Sequence, residues 1–170
     1  MRIYERITIG APPDAVWEHV SDPARYLHFM SGVTRWEVEG EQRDGVGARY
    51  RMLLRVGSAE VGGLIEIVES DEPRDLAWTS VMGVDQRGRW RIRECEGASG
   101  PKGPRSARVE LRLSYGVAGA GISGFVAERL AAPAVRGHMR RSLQQLKRQV
   151  EQEQLRAAAA ARRAARASTG

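Results

Sequence analysis

The sequence predicts an α+β domain in which a seven-stranded antiparallel sheet curves around one long C-terminal helix. Seven segments alternate between apolar and polar residues, and short turns separate them, which is typical of antiparallel strands. One face of nearly every segment is apolar and the other is charged, so the sheet is expected to be covered on one side only. The only long helical pattern in the 170 residues lies at the C-terminal end and must supply that cover.

The first strand and two short helices open the chain. Arg2–Ile9 places isoleucines on one parity, which predicts a strand with one buried face. A helix is predicted over 15–20, after Asp14, whose charge suits the positive end of a helix dipole. A second helix is predicted over 23–29, with Asp22 as its N-cap and proline at its first position.

Six further strands share the period-two alternation. The longest alternation places Val109, Leu111 and Leu113 opposite Arg108 and Arg112. The predicted strands span 34–40, 49–56, 60–69, 74–82, 87–94 and 107–117.

The covering helix is predicted over 122–154, where apolar residues recur at spacings of mostly three and four. Pro133 lies inside this pattern, and a kink or a break is expected there because proline removes one backbone hydrogen bond. The sequence therefore divides into a folded domain, 1–154, and an Ala/Arg-rich basic tail, 155–170. The helical stripe consists of Ile122, Val126, Leu130, Met139, Leu143, Leu146 and Val150.

Several local stretches resemble one known superfamily. The segment 11–17 (APPDAVW) followed by Val20-Ser21-Asp22 is similar to the opening of the START-like, polyketide cyclase/dehydrase (SRPBCC) superfamily. The stretches 45–50 (GVGARY), 76–78 (LAW) and 143–147 (LQQLK) are similar as well, and the resemblance covers about residues 1 to 152. It implies the helix-grip fold, with two short helices between the first and second strands.

The resemblance implies an internal pocket, since members of this superfamily bind lipids, sterols, polyketides or hormones, and only some catalyse reactions. A hydrophobic small molecule, lipid or polyketide-like, is therefore the expected ligand. Pockets of this kind are mostly apolar with a few placed polar groups. The expected ligand-binding residues are Phe29, Met30, Trp36, Tyr50, Met52, Leu54, Ile65, Ile67, Trp78, Met82, Trp90, Ile92, Leu113, Tyr115, Phe125, Leu130 and Met139.

Two alternatives to simple binding stay open. One is an enzyme of the polyketide aromatase/cyclase or dehydratase type, acting on a poly-ketone chain, with catalytic candidates His28, Glu94, Arg129 and His138. An imidazole titrates near neutral pH, and a carboxylate facing a pocket acquires a raised pKa, so the histidines and Glu94 suit acid–base chemistry. Arg129 is a candidate to contact a ligand carboxylate or oxyanion. Histidine spacing and a lone cysteine give no metal motif, and no cofactor is predicted.

The other alternative concerns the charge of the tail. From residue 136 onward there are nine Lys/Arg and two Asp/Glu, so the net charge of +6 is concentrated at the C-terminal end. This tail is expected to contact acidic membranes or nucleic acid weakly and in a salt-sensitive way. The sequence shows neither a signal peptide nor a spanning segment, which predicts a cytoplasmic protein, and it does not predict an oligomeric state.

Overall fold

The structure of the protein, a computed structural model, describes residues 1–96, 105–116 and 121–168, with only the backbone described for 121–130. Seven strands and three α-helices follow in the predicted order, and a 3₁₀ turn, Pro23–Arg25, precedes the second helix. The elements are β1 (Arg2–Ile9), α1 (Pro13–Val20), α2 (Tyr26–Phe29), β2 (Val33–Glu39), β3 (Arg49–Val56), β4 (Ala59–Asp71), β5 (Asp75–Gly83), β6 (Asp85–Cys95), β7 (Ser106–Gly116) and α3 (Gly121–Ala167).

The seven strands form one antiparallel sheet in the order β1-β7-β6-β5-β4-β3-β2. Sequential neighbours pair from β2 to β7, and the first strand closes the other edge by pairing with the last over eight residue pairs. The sheet curls around α3, and α1 and α2 lie between the first and second strands along the chain. The predicted fold class, a helix-grip arrangement, is confirmed.

The second half of α3 packs on the apolar face of the sheet. Its buried residues are separated by three or four positions, so they lie along one side of the helix. Full burial of an aliphatic side chain contributes about 1.5–3 kcal/mol, so this stripe is a major source of stability. The buried stripe is Val135, Met139, Leu143, Leu146 and Val150. The predicted members Ile122, Val126 and Leu130 lie outside the described side chains.

The helix α3 continues through Pro133 without a break. Proline deprives only its own position of a hydrogen-bond donor, and the flanking turns on both sides of Pro133 remain helical. The helix also continues past Gln154 to Ala167, so the described part of the predicted tail is helical and continuous with the rest of α3. No helix in the described part of the chain combines the length and apolar character needed to cross a bilayer.

A carboxylate on β1 joins α3 to the edge of the sheet. Glu5 lies on the inward parity of β1, and its side chain is only 15% exposed. Its two oxygens face Arg136 at 3.6 Å and Arg140 at 3.1 Å, one turn apart on α3. If α3 moved so that both arginines left Glu5, the largely buried carboxylate would have no partner, which is costly. These ion pairs therefore restrict how α3 lies across β1.

Two further polar contacts hold α3 near the end of β1. Lys147 donates from Nζ to the Thr8 carbonyl at 2.7 Å, and the Gly10 amide donates to Glu151 Oε1 at 2.7 Å. The amide and Lys147 lower the pKa of the Glu151 carboxyl, against the opposite effect of burial. Together with the Glu5 contacts they determine the position of α3 along its length.

Glycines allow strands β3, β4 and β5 to approach closely where the sheet curls. A Cβ on Gly63 would lie 1.9 Å from the Met82 carbonyl oxygen, and one on Gly62 would lie 2.1 Å from the Met52 carbonyl oxygen. Gly83 opposite them has φ of +93°, a conformation that favours glycine. Gly62 also lines the space beneath the sheet.

An extra residue on β5 moves Met82 to the outer face. Ile65 pairs with Ser80, but the adjacent Leu64 pairs with Met82, so Val81 is a one-residue bulge. A one-residue shift reverses the face on which every later side chain lies. Met82 is consequently 65% exposed, and its predicted place on the pocket wall is wrong.

Candidate functional site

An internal cavity of about 180 Å³ lies between the sheet and α3. Strands β3, β4, β6 and β7 form its wall on one side and α3 on the other. Among the described residues, the side chains around it are apolar except the Tyr115 phenol and the Gln86 amide. The wall consists of Met52, Leu54, Val56, Val61, Gly62, Val84, Gln86, Leu113, Tyr115, Ala131 and Val135.

A second cavity, of about 50 Å³, adjoins the first and shares five of its wall residues. Its remaining wall is more polar, with Ser31, His138 and Ser142 among aromatic and thioether side chains. The shared residues are Met52, Leu54, Gln86, Leu113 and Val135. The two spaces therefore form one site with an apolar end and a polar end.

Gln86 is the polar side chain between the two spaces. It is only 8% exposed, and its amide nitrogen lies 3.1 Å from Met52 Sδ, a weak acceptor. Its backbone nitrogen donates to Ser80 Oγ at 3.1 Å, which fixes the strand at this point. A thioether is a poor partner for an amide, so Gln86 retains capacity to hydrogen-bond a molecule in the cavity.

Two indole groups at the smaller cavity have no acceptor. Trp36 and Trp78 line it, and the Nε1 atoms of both are buried without a hydrogen-bond partner among the described residues. A buried donor without an acceptor costs about 1–3 kcal/mol. A space of about 50 Å³ with several polar neighbours is large enough for a water molecule or for a ligand oxygen.

His138 is held in one orientation at the same cavity. Its Nδ1 lies 3.0 Å from Arg141 Nη2 and 3.2 Å from Ser31 Oγ, and its ring lies where Gly32 has no side chain. Arginine can only donate, so Nδ1 accepts and the proton of the neutral ring lies on Nε2. Burial and the charge of Arg141 both lower the pKa of His138.

Aromatic side chains support the wall next to the smaller cavity. Trp36 stacks between Tyr26, at a centroid distance of 4.1 Å, and Tyr50, at 5.2 Å. The two phenols donate to the carbonyls of Val20 and Arg43, each at 2.7 Å. Burial raises the pKa of Tyr50 to about 12, so its phenol stays protonated at neutral pH. This stack limits the orientation of the Trp36 indole.

The structure separates the predicted pocket residues into three groups. Met30, Trp36, Met52, Leu54, Trp78, Leu113, Tyr115 and Met139 line the two cavities. Phe29, Tyr50, Ile65, Ile67, Trp90 and Ile92 are buried in the surrounding core and do not line them. Phe125 and Leu130 lie outside the described side chains, and Met82 lies on the outer face.

The predicted catalytic candidates do not come together. His138 lines the smaller cavity, whereas His28 is exposed and lies outside the wall. Glu94 is exposed near the end of β6, where its carboxylate accepts from Arg105 Nε at 2.6 Å. Arg129 lies outside the described side chains. Of the three candidates whose side chains the structure describes, only His138 lies at the site.

Gln86, Ser31 and Ser142 are among the site residues that sequence reasoning missed. Gln86 shares the parity of Trp90 and Ile92 on β6, and that parity was the available signal. Ser142 is almost fully buried, and its hydroxyl donates to the His138 carbonyl and accepts from the Ser31 amide. Nothing local in the sequence indicates the serine contacts, which join residues 111 positions apart.

The chain is similar to proteins of known family and known structure. The family model described as polyketide cyclase/dehydrase and lipid transport matches residues 1–151. A protein from Thermus thermophilus is 22% identical, with a TM-score of 0.72, over 88% of this chain and 97% of the other. No curated protein sequence matches the chain.

Two further structures show the same fold. The Zhui aromatase/cyclase of a Streptomyces species is 18% identical, with a TM-score of 0.67, over 89% of this chain and 93% of that one. A START superfamily protein from Mycobacterium smegmatis is 16% identical, with a TM-score of 0.65, over 89% and 97%. At these identities the likeness supports the shared fold alone.

The position of His138 predicts a pH-dependent contribution to stability. Its pKa is lowered in the folded state, so the unfolded chain binds the proton more readily. The contribution is present above the unfolded-state pKa of about 6.5 and is lost as the pH falls below it. In NMR titration the His138 ring should titrate below pH 6.5. The melting temperature of wild-type protein should also fall more steeply on acidification than that of His138→Gln. Identical slopes would contradict the assignment.

Proposed function

The chain belongs to the polyketide cyclase/dehydrase and lipid transport family, and from this premise we propose that it binds an apolar small molecule inside the sheet. The observation that carries the proposal is the cavity of about 180 Å³ between the sheet and α3, with its almost wholly apolar wall. Such a wall favours a ligand that is poorly solvated in water.

The size of the cavity limits the ligand. A protein cavity of about 150 Å³ accommodates benzene, so about 180 Å³ suits one ring with small substituents. A multi-ring product is too large for this space as it stands. Burial of about 200 Å² of aromatic surface contributes about 5 kcal/mol, which corresponds to a Kd of about 0.2 mM before association costs.

The polar end of the site favours a ligand with one oxygen. Gln86, Ser31 and Ser142 line the smaller cavity. The Nε1 groups of Trp36 and Trp78, which have no partner among the described residues, are enclosed by protein atoms. Neutral donors of this kind bind a hydroxyl or carbonyl oxygen without requiring a charge on the ligand. A phenol or a cyclic ketone, with its ring in the larger cavity, satisfies both ends of the site.

The wall supports binding more than catalysis. The family and the Zhui relative leave an aromatase/cyclase role open, and His138 offers one titratable group. General acid–base chemistry on a poly-ketone chain calls for a second group placed to exchange protons with the substrate. Among the described residues, no carboxylate or lysine lines either cavity. The Tyr115 phenol lines only the larger cavity and His138 only the smaller one, while the Tyr26 phenol donates to the Val20 carbonyl. We therefore assign the site a binding role.

Filling the cavity tests this proposal. Leu54→Phe places extra volume in both cavities and should weaken binding of p-cresol at least about tenfold, because the space for the ring is lost. Leu155→Phe is the matched control, since Leu155 is 71% exposed on α3. Binding is measured by isothermal titration calorimetry, and thermal melting establishes that both variants fold. Equal affinity in wild type and Leu54→Phe would contradict the proposal.

The polar end is tested with the same probe. Gln86→Leu removes the amide and should weaken p-cresol binding about fivefold, the effect of one neutral hydrogen bond. Toluene, which has no oxygen, should bind wild type and Gln86→Leu with similar affinity. A similar loss for both ligands would show that Gln86 acts only through packing.

The last part of α3 supports a second role, in contact with nucleic acid. Beyond Val150 the helix has no buried residue in the described chain. At about 100° per residue, the arginines of this region lie within an arc of about 120° along about 15 Å of helix. They are Arg156, Arg162, Arg163 and Arg166, and alanines occupy most of the opposite face from residue 157 onward.

This arrangement favours a polyanion over a membrane surface. A membrane-bound helix needs large apolar side chains opposite its basic face, and alanine is too small for that. A one-sided row of arginines can contact successive phosphates of a duplex without reading its sequence. We therefore propose weak, sequence-independent binding of the C-terminal part of α3 to double-stranded nucleic acid.

Charge removal tests the nucleic-acid role. Wild-type protein should bind a DNA duplex with a slope of log K against log salt of about −3.6, since each phosphate contact contributes about −0.9. Replacement of Arg156, Arg162, Arg163 and Arg166 by glutamine should remove most of that slope. Replacement of Ala157, Ala158, Ala161 and Ala165 by glutamine is the matched control and should preserve it. An unchanged slope in the arginine variant, or tighter binding to anionic vesicles, would contradict this role.

A further inference from the structure

A wide groove of about 890 Å³ crosses the outer face of the sheet, on the side away from α3. It runs over β1, β7, β6 and β5, and it is separate from the internal cavity. Arginine, tyrosine and small hydroxyl side chains line it, including Arg2, Tyr4, Arg87 and Ser114. No carboxylate lines it among the described residues.

The strand register places these side chains in two rows across four strands. Thr79 pairs with Arg87, Arg87 with Ser114, and Ser114 with Arg2. Adjacent strands are about 4.8 Å apart, so Arg2 and Arg87 flank Ser114 at a Cα separation of about 10 Å. Two long guanidinium side chains at that separation can converge on one group above the serine hydroxyl.

The second row closes one side of the groove. Ala77 pairs with Arg89, Arg89 with Arg112, and Arg112 with Tyr4. The Arg112 guanidinium lies over the Tyr4 ring, 5.4 Å from its centroid. Tyr4, Ala77 and the exposed Val68 supply apolar surface beside the charged row.

The charges of the groove are unevenly compensated. Glu69 and Asp75 engage Arg89, and Glu110 engages Arg112 at 3.0 Å. Arg2 and Arg87 have no carboxylate within 4 Å in the described part of the chain. All four arginines of β2 and β3, by contrast, have one: Arg35, Arg49, Arg51 and Arg55.

We propose that this groove binds a small soluble organic phosphate, with the phosphate between Arg2 and Arg87 and above Ser114. Guanidinium groups bind phosphate oxygens through paired charge-assisted hydrogen bonds, and the hydroxyls of Ser114 and Thr79 add neutral donors. The apolar part of the ligand lies against Tyr4 and Val68. The groove is recessed between side chains, which suits a small ester better than a flat bilayer.

The experiment uses phenyl phosphate as the probe with the full chain. Phenyl phosphate should bind wild-type protein, as measured by isothermal titration calorimetry at low ionic strength. Arg2→Gln and Arg87→Gln should each weaken binding about tenfold or more, because each removes a charge-assisted contact. Arg108→Gln is the matched control. Arg108 is also exposed on the outer face of β7, about 20 Å from Ser114, and it has no carboxylate partner in the described part of the chain. Its loss should change affinity less than twofold.

Three results would overturn the proposal. These are absence of binding by wild type, equal weakening in all three variants, and binding to phosphatidic acid vesicles without binding of phenyl phosphate. Leu54→Phe, which fills the internal cavity, should bind phenyl phosphate like wild type. The proposal for the groove and the proposal for the cavity can therefore fail independently, because p-cresol binding tests only the cavity.

Discussion

The apolar face of the sheet and the helix that covers it are the contact on which the rest of the structure depends. Each strand is apolar on one side, and without α3 that side would face water. From Met139 to Val150 the helix packs against it with buried side chains at every turn. Near Val135 the packing is incomplete, and the cavities lie there, beside Gly62, where β3 and β4 approach closely. The site is therefore a consequence of how the sheet curls over one helix.

Polar contacts determine where that helix lies. Glu5 holds Arg136 and Arg140, while Lys147 and Glu151 hold the end of β1. Each contact joins the two ends of the chain, so the first strand and the last helix are positioned together. The His138 contacts then fix the helix face at the smaller cavity. Because these groups are partly buried, they favour a single placement more than they add net stability.

Most of the architecture could be predicted from the sequence, but few of the contacts at the site could. Alternation at 49–56 and 107–117 depends only on which side chains face water, so those strands were predictable to within one residue. Met82 was misplaced because the Val81 bulge reverses the face without altering local composition. The role of Gln86 and the contacts of His138 depend on residues far away in sequence. The local alternation of apolar and polar residues carries no information about such contacts. Pro133 was a local signal that its helical context overrode.

A crystal structure of the protein soaked in p-bromophenol, whose bromine is located by anomalous scattering, would show whether the space between the sheet and α3 binds a ligand. We expect a bromine peak in the larger cavity, in contact with Leu54, Leu113 or Val135, and the hydroxyl directed toward Gln86. Bromine peaks on the protein surface alone, with the cavity empty or closed, would contradict it.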